Sequence, residues 1–180
     1  MNRKWSVCVV CCTLAAVTAA GVNLQGTPTR KASVEYQNLA RLAGTWKSDA
    51  TLKPGPGGPG GAVSGTETCR MFELFLVCDS EASGAVGRVN AHSMLIYHPA
   101  QKKYQRFSIS NTSPYQDYSE GTNVANTWTW SNEVDIDGKK VLGSATVTET
   151  SPTVHTYTMK ISQDGGKSWT TIMEGKSVKQ

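Results

Sequence analysis

The stretch from Thr127 to Lys176 constrains the fold of this chain more than any other, because three turn signals separate four runs in which apolar and polar residues alternate. Alternation with period two marks a strand buried on one face. In the first run it sets Trp128, Trp130 and Val134 on one side and the threonines on the other. Asp137-Gly138 then supplies a two-residue hairpin, since a type I′ turn needs positive φ at both central positions and these residues tolerate it. The loop length predicts the pairing: Asp135 opposite Lys140, Val134 opposite Val141, Trp130 opposite Ala145 and Trp128 opposite Val147. Opposite charges meet on the outer face, and small or branched residues meet large rings on the inner one.

The next run places His155, Tyr157, Met159 and Ile161 on one face. With Ser151-Pro152-Thr153 as the loop, Val147 pairs with Tyr157, Ala145 with Met159, and Glu149 with His155 as a polar pair at one end of an apolar face. The segment Ser162-Gln163-Asp164-Gly165-Gly166-Lys167-Ser168-Trp169 turns the chain once more. It is similar to the Asp-box hairpin (Ser-x-Asp-x-Gly-x-Thr-Trp) of sialidase propellers, with Ser168 in place of threonine. A propeller needs several such boxes and a far longer chain, so the box reads as a turn staple. A three-residue loop buries Trp169 and Met173. A slip of one residue would bury Ile172 with Glu174 and Lys176 instead, and the first register is the expected one.

At the other end, Arg3 and Lys4, an apolar run from Trp5 to Val17 and the small residues Thr18, Ala19 and Ala20 have the layout of a secretory signal peptide cleaved after Ala20. The run is shorter than the ~20 apolar residues a membrane span requires. Cys8, Cys11 and Cys12 would leave with it, so the secreted or periplasmic chain keeps Cys69 and Cys78. They flank Phe72-Glu73-Leu74-Phe75, and a hairpin turning on Glu73-Leu74 sets them opposite each other at a non-hydrogen-bonded site, where Cα atoms approach to about 4.5 Å and a disulfide fits. Two buried free thiols are the alternative. No further Cys or His stands near them, so no metal site is expected.

Residues 21–32 form a polar linker, and residues 33–178 are long enough for one domain with its own core. Without Arg3 and Lys4 the chain has 16 basic residues against 14 acidic ones, interspersed in sign rather than striped, which argues against nucleic acid as a partner. Ser33 is placed to cap a short helix carrying Tyr36, Leu39, Ala40 and Ala43, enough to plug one end of a barrel. Pro54-Gly55-Pro56-Gly57-Gly58-Pro59-Gly60-Gly61 reads as a long flexible connection and lacks the Lys-Ser/Thr ending of a phosphate loop. Strands are expected over 44–51, 63–71, 74–82, 88–97, 104–110 and 115–121. With the meander they make about ten, an antiparallel barrel or sandwich.

Gly44-x-Trp46, following a short helix, resembles the Gly-x-Trp signature of lipocalin-like (calycin) barrels, in which the tryptophan closes one end. Together with Leu39 to Trp46, Leu95-Ile96-Tyr97 before a turn, Tyr104 after it and the Asp-box ending, the pattern over Val34 to Lys176 looks like an uncharacterised, often exported bacterial domain-of-unknown-function family (1579 type). The resemblance implies an all-β, single antiparallel meander barrel and no established activity. Nitrobindin-type haem barrels extend the signature to Gly-x-Trp-x-Gly-x-Gly. Here Lys47, Ser48, Asp49 and Ala50 follow the tryptophan, which argues against haem, and no cofactor is expected.

A barrel of this size can leave a cavity lined by its inward rings. The candidates for that lining are Trp46, His92, Trp128, Trp130, Glu149, His155, Tyr157 and Met159. His92 is expected on an inward face with Met94 and Ile96. His155 opposite Glu149 is suited to proton transfer, because a carboxylate orients an imidazole and raises its pKa. Asp135-x-Asp137-Gly138 begins like a calcium loop but lacks the later ligands and is a hairpin turn. Two functions follow: a binding barrel for a small apolar or amphipathic molecule, or an enzyme acting through Glu149, His155 and Tyr157. A packed structural domain with no ligand is the third reading. No motif specifies the ligand or an oligomeric state.

Overall fold

The computed structural model describes residues 33–55, 59–136 and 138–180. The expected signal segment and linker lie outside these residues, as do parts of the Pro/Gly-rich connection. One helix, α1 (Val34–Arg41), precedes ten strands: β1 (Gly44–Leu52), β2 (Gly61–Phe72), β3 (Phe75–Gly84), β4 (Val89–His98), β5 (Lys103–Ser110), β6 (Ser113–Val124), β7 (Thr127–Ile136), β8 (Lys139–Ser151), β9 (Val154–Ser162) and β10 (Thr170–Lys179). Each strand pairs antiparallel with the next, and β10 returns to β1, Trp46 opposite Lys179, to close the barrel. Closure removes both sheet edges and sets side chains alternately inside and outside along every strand.

The meander has the expected register. Trp128 faces Val147, Trp130 faces Ala145, Asp135 faces Lys140, Val147 faces Tyr157 and Glu149 faces His155. At the β2–β3 hairpin Cys69 lies opposite Cys78 with Cα atoms 4.1 Å apart, and the two form a disulfide. Ser33 caps α1, its Oγ accepting from the Tyr36 amide at 3.2 Å. Leu39 on this helix, 1 % exposed, packs among Cys69, Leu76, Cys78, Leu95, Tyr104 and Trp128, so the dense core sits at the plugged end. Truncating Leu39 to alanine would remove about 2–5 kcal/mol of packing.

Three local expectations need correction. On β4 the inward residues are Ser93, Leu95 and Tyr97, whereas His92 and Met94 are exposed. Both faces of this strand are apolar. Leu95 and Tyr97 win the interior because they meet the helix-end core, while Met94, Phe107 and Tyr118 pair in a row outside it. At the end of the chain, Met173 does pair with inward Met159, but Trp169 is 42 % exposed. A bulge between Thr171 and Met173 adds one residue, so Trp169 and Met173 do not share a face. Strand β6 also runs on to Val124, because Ala125 and Asn126 adopt positive φ (48° and 64°) and form a tight turn whose residues carry no glycine.

Candidate functional site

The barrel interior holds two cavities of about 430 Å³ and 960 Å³. Both lie in the size range of small-molecule sites. The smaller one runs from the disulfide floor, past Leu76 and Leu95, toward Val86 and Val89, and is walled by Trp46, Trp128 and His155. The larger one opens between the β1–β2 and β9–β10 connections and is lined by Val134, Val141, Met159 and Ile161. Arg106, Trp130, Val147 and Tyr157 border both and form the partition between them. Glycine makes room for its two rings. An added Cβ on Gly121 would meet the Trp130 indole at 2.5 Å, and one on Gly175 would meet the Tyr157 ring at the same distance. Each of these glycines is the direct cross-strand partner of its ring.

The floor is fixed by polar ties to α1. Trp46 Nε1 donates to the Leu42 carbonyl at 2.8 Å, and Asn38 Nδ2 donates to Tyr104 Oη at 3.0 Å. Glu149 accepts from Trp128 Nε1 at 2.7 Å and pairs with Arg41 Nε at 3.4 Å, its side chain 9 % exposed. Trp128 and Trp130 stand parallel with centroids 5.9 Å apart, and Tyr104 meets Trp128 edge-on at 4.7 Å.

Trp46, Trp128, Trp130, His155 and Tyr157 thus line the interior, and Met159 lines the larger cavity. His92 does not. It sits outside the barrel with Nδ1 2.7 Å from Asp79 Oδ1, and this pairing and the adjacent Arg70 hold Asp79 below its ordinary pKa. Glu149 lines neither cavity, because its carboxylate is taken by Trp128 and Arg41. Its expected action on His155 is correspondingly reversed in outcome. The imidazole stacks on Trp46 at 4.0 Å, and burial, with the Lys179 ammonium, holds its pKa below the ordinary value against the upward pull of Glu149 and Glu67. Burial likewise raises the Tyr157 hydroxyl. A neutral imidazole and a protonated phenol against aromatic walls form a neutral, weakly polar surface.

Glu67 also points inward and accepts from Ser80 Oγ at 2.9 Å. Its carboxylate gathers with the sulfurs of Cys69 and Cys78, but these are bonded to each other and offer a metal no thiolate. Sequence reasoning passed over Arg106 and Ser93. The signal was present: Tyr97 opposite Tyr104 across the β4–β5 turn fixes the parity that turns Ser93, Leu95 and Arg106 inward. The apolar neighbours Phe107 and Ile109 hide it.

Such a molecule, a closed ten-stranded meander barrel with one plugged end and a partitioned interior, is a lipocalin-like barrel. The chain belongs to the family described as "Protein of unknown function (DUF1579)", which it matches over residues 31–179. Among solved structures it is similar to the S-type phycobiliprotein lyase CPES from Guillardia theta, at 11 % identity, covering 82 % of this chain and 98 % of that one with a TM-score of 0.57. It is similar as well to Rv2717c from M. tuberculosis, at 10 % identity, with the same coverages and a TM-score of 0.59. These likenesses concern the fold. A comparison with curated protein sequences finds no match.

Proposed function

We propose that this protein is an exported binding barrel that holds a small apolar or amphipathic molecule in its interior. The observation that carries the reading is the pair of cavities divided by Arg106, Trp130, Val147 and Tyr157, in which glycines rather than larger residues face the rings. A filled scaffold would close such space with side chains, since interiors pack densely. A barrel of like fold in Guillardia theta is a phycobiliprotein lyase, which accords with the reading. The commitment of Glu149 to Trp128 and Arg41 favours binding over proton transfer by Glu149, His155 and Tyr157.

Titration with the neutral probe N-phenyl-1-naphthylamine tests this. Saturable probe fluorescence with quenching of the tryptophans is expected, and Trp130→Ala should weaken binding roughly tenfold through lost aromatic contact. Unchanged tryptophan emission at saturating probe would remove the carrier reading. Export rests on the layout of residues 1–20 and accords with the disulfide; no helix among the described residues is long and apolar enough to cross a membrane. Intact mass of the secreted or periplasmic protein should begin at Gly21. A species retaining Met1 would refute cleavage.

A further inference from the structure

Arg106 stands on β5 between Tyr104 and Ser108, faces inward opposite Leu95 on β4 and Ser119 on β6, and borders both cavities. Its Nε is buried with no hydrogen-bond partner, and among the described residues it enters no ion pair. A guanidinium does not shed its proton in a protein, so burial cannot be relieved by neutralisation. Arg106 is half-buried with its Nε edge shut away from solvent, and leaving that edge without a counter-ion is costly; the side chain borders the cavities with no carboxylate ion-paired to it.

A second unpartnered group stands beside it. Ser93, 2 % exposed, lines the smaller cavity from β4, and its Oγ has no hydrogen-bond partner. Ser93 is the cross-strand partner of Ser108, one diagonal step from Arg106. Three carboxylates, Glu67, Glu81 and Asp117, line the cavities, and none is ion-paired to the cation. Asp117 lines the larger cavity opposite Ser108, and Glu67 in the smaller one accepts from Ser80.

We infer that the interior ligand is an acidic amphiphile whose anionic group, a carboxylate or its sulfonate equivalent, is held by Arg106 with Ser93 as a second donor. Its apolar body lies along Leu76, Leu95, Trp128 and Val147 in the smaller cavity. The guanidinium supplies the charge-assisted, two-pronged contact such a group takes, and the ligand supplies the counter-ion the chain lacks. This inference rests on the reading of the barrel as a carrier.

Two matched probe pairs test it on the mature chain: dodecanoate against dodecanol, and 8-anilinonaphthalene-1-sulfonate against N-phenyl-1-naphthylamine, which share their apolar parts and differ in the acid group. The acidic member of each pair should bind about tenfold tighter or more, as a desolvated charge-assisted contact predicts. Arg106→Met should abolish that preference, read as the ratio of acidic to neutral affinity within each pair. Arg106→Lys should keep part of it, and Ser93→Ala should weaken only the acidic members, by roughly threefold. Equal binding of acidic and neutral members by the unaltered protein, or a preference that survives Arg106→Met, would overturn the inference while the carrier reading stood. If neither neutral nor acidic probes bound, both would fall. Should Arg106→Met fail to fold by circular dichroism, the comparison within the unaltered protein and Arg106→Lys decides.

Discussion

Asp164 shows how one exposed side chain fixes the last turn of the barrel. Its carboxylate accepts from Ser168 Oγ at 2.6 Å, from the Ser168 amide at 2.9 Å and from Ser162 Oγ at 2.8 Å, and these bonds, the Ser168 hydroxyl first, lower its pKa from 3.8 to about 2. A group depressed in the folded state contributes fully above its unfolded value and loses that contribution as pH falls through its folded one. Thermal stability should therefore drop as pH is lowered from 3.8 toward 2, and Asp164→Asn, already weaker at neutral pH, should show a shallower acid decline. Parallel declines would contradict the staple. At this scale the sequence spoke unevenly. The Asp box was legible because its residues act on one another within one loop. The fate of Glu149 was not, because Arg41 and Trp128 come to it from two other elements.

Among the elements, α1 matters most to the interior, because it is the floor against which the cavities end. Its eight residues are too few for a stable isolated helix, so tertiary contacts must hold it. Leu39 supplies the apolar contact, and Asn38–Tyr104, Arg41–Glu149 and the Lys179 ammonium on the Arg41 carbonyl supply the polar ones. Glu149→Ala leaves the Trp128 indole N–H buried without its acceptor and should cost about 1–3 kcal/mol in urea unfolding. Hydrogen exchange should speed in α1 more than in β7 or β8. Unchanged exchange in the helix would show that Glu149 does not anchor it. Hairpin registers were readable in advance because loop length and facial pattern agreed, as at Asp135–Lys140 and Cys69–Cys78. The inward face of β4 is not legible in its residues, because both faces are apolar and only the helix-end core decides between them. The bulge in β10 has no signature in the residues beside it.

Taken whole, the molecule spends its dense packing at one end and leaves space at the other. Leu39, Leu76, Leu95, Tyr104 and Trp128 fill the floor, while Gly121 and Gly175 keep the middle open for the rings that divide the two cavities. The barrel class was legible from strand count, the Gly-x-Trp start and the absence of long helical patterns. The cavities were not, because empty volume depends on how inward residues from ten strands meet, and no single strand records that. The most direct test is native mass spectrometry of the protein purified from its own host without denaturation. The account predicts a retained species of small-molecule mass, released on denaturation, with loss of retention in Trp130→Ala. A bare chain mass under native conditions, together with no uptake of added N-phenyl-1-naphthylamine, would contradict it.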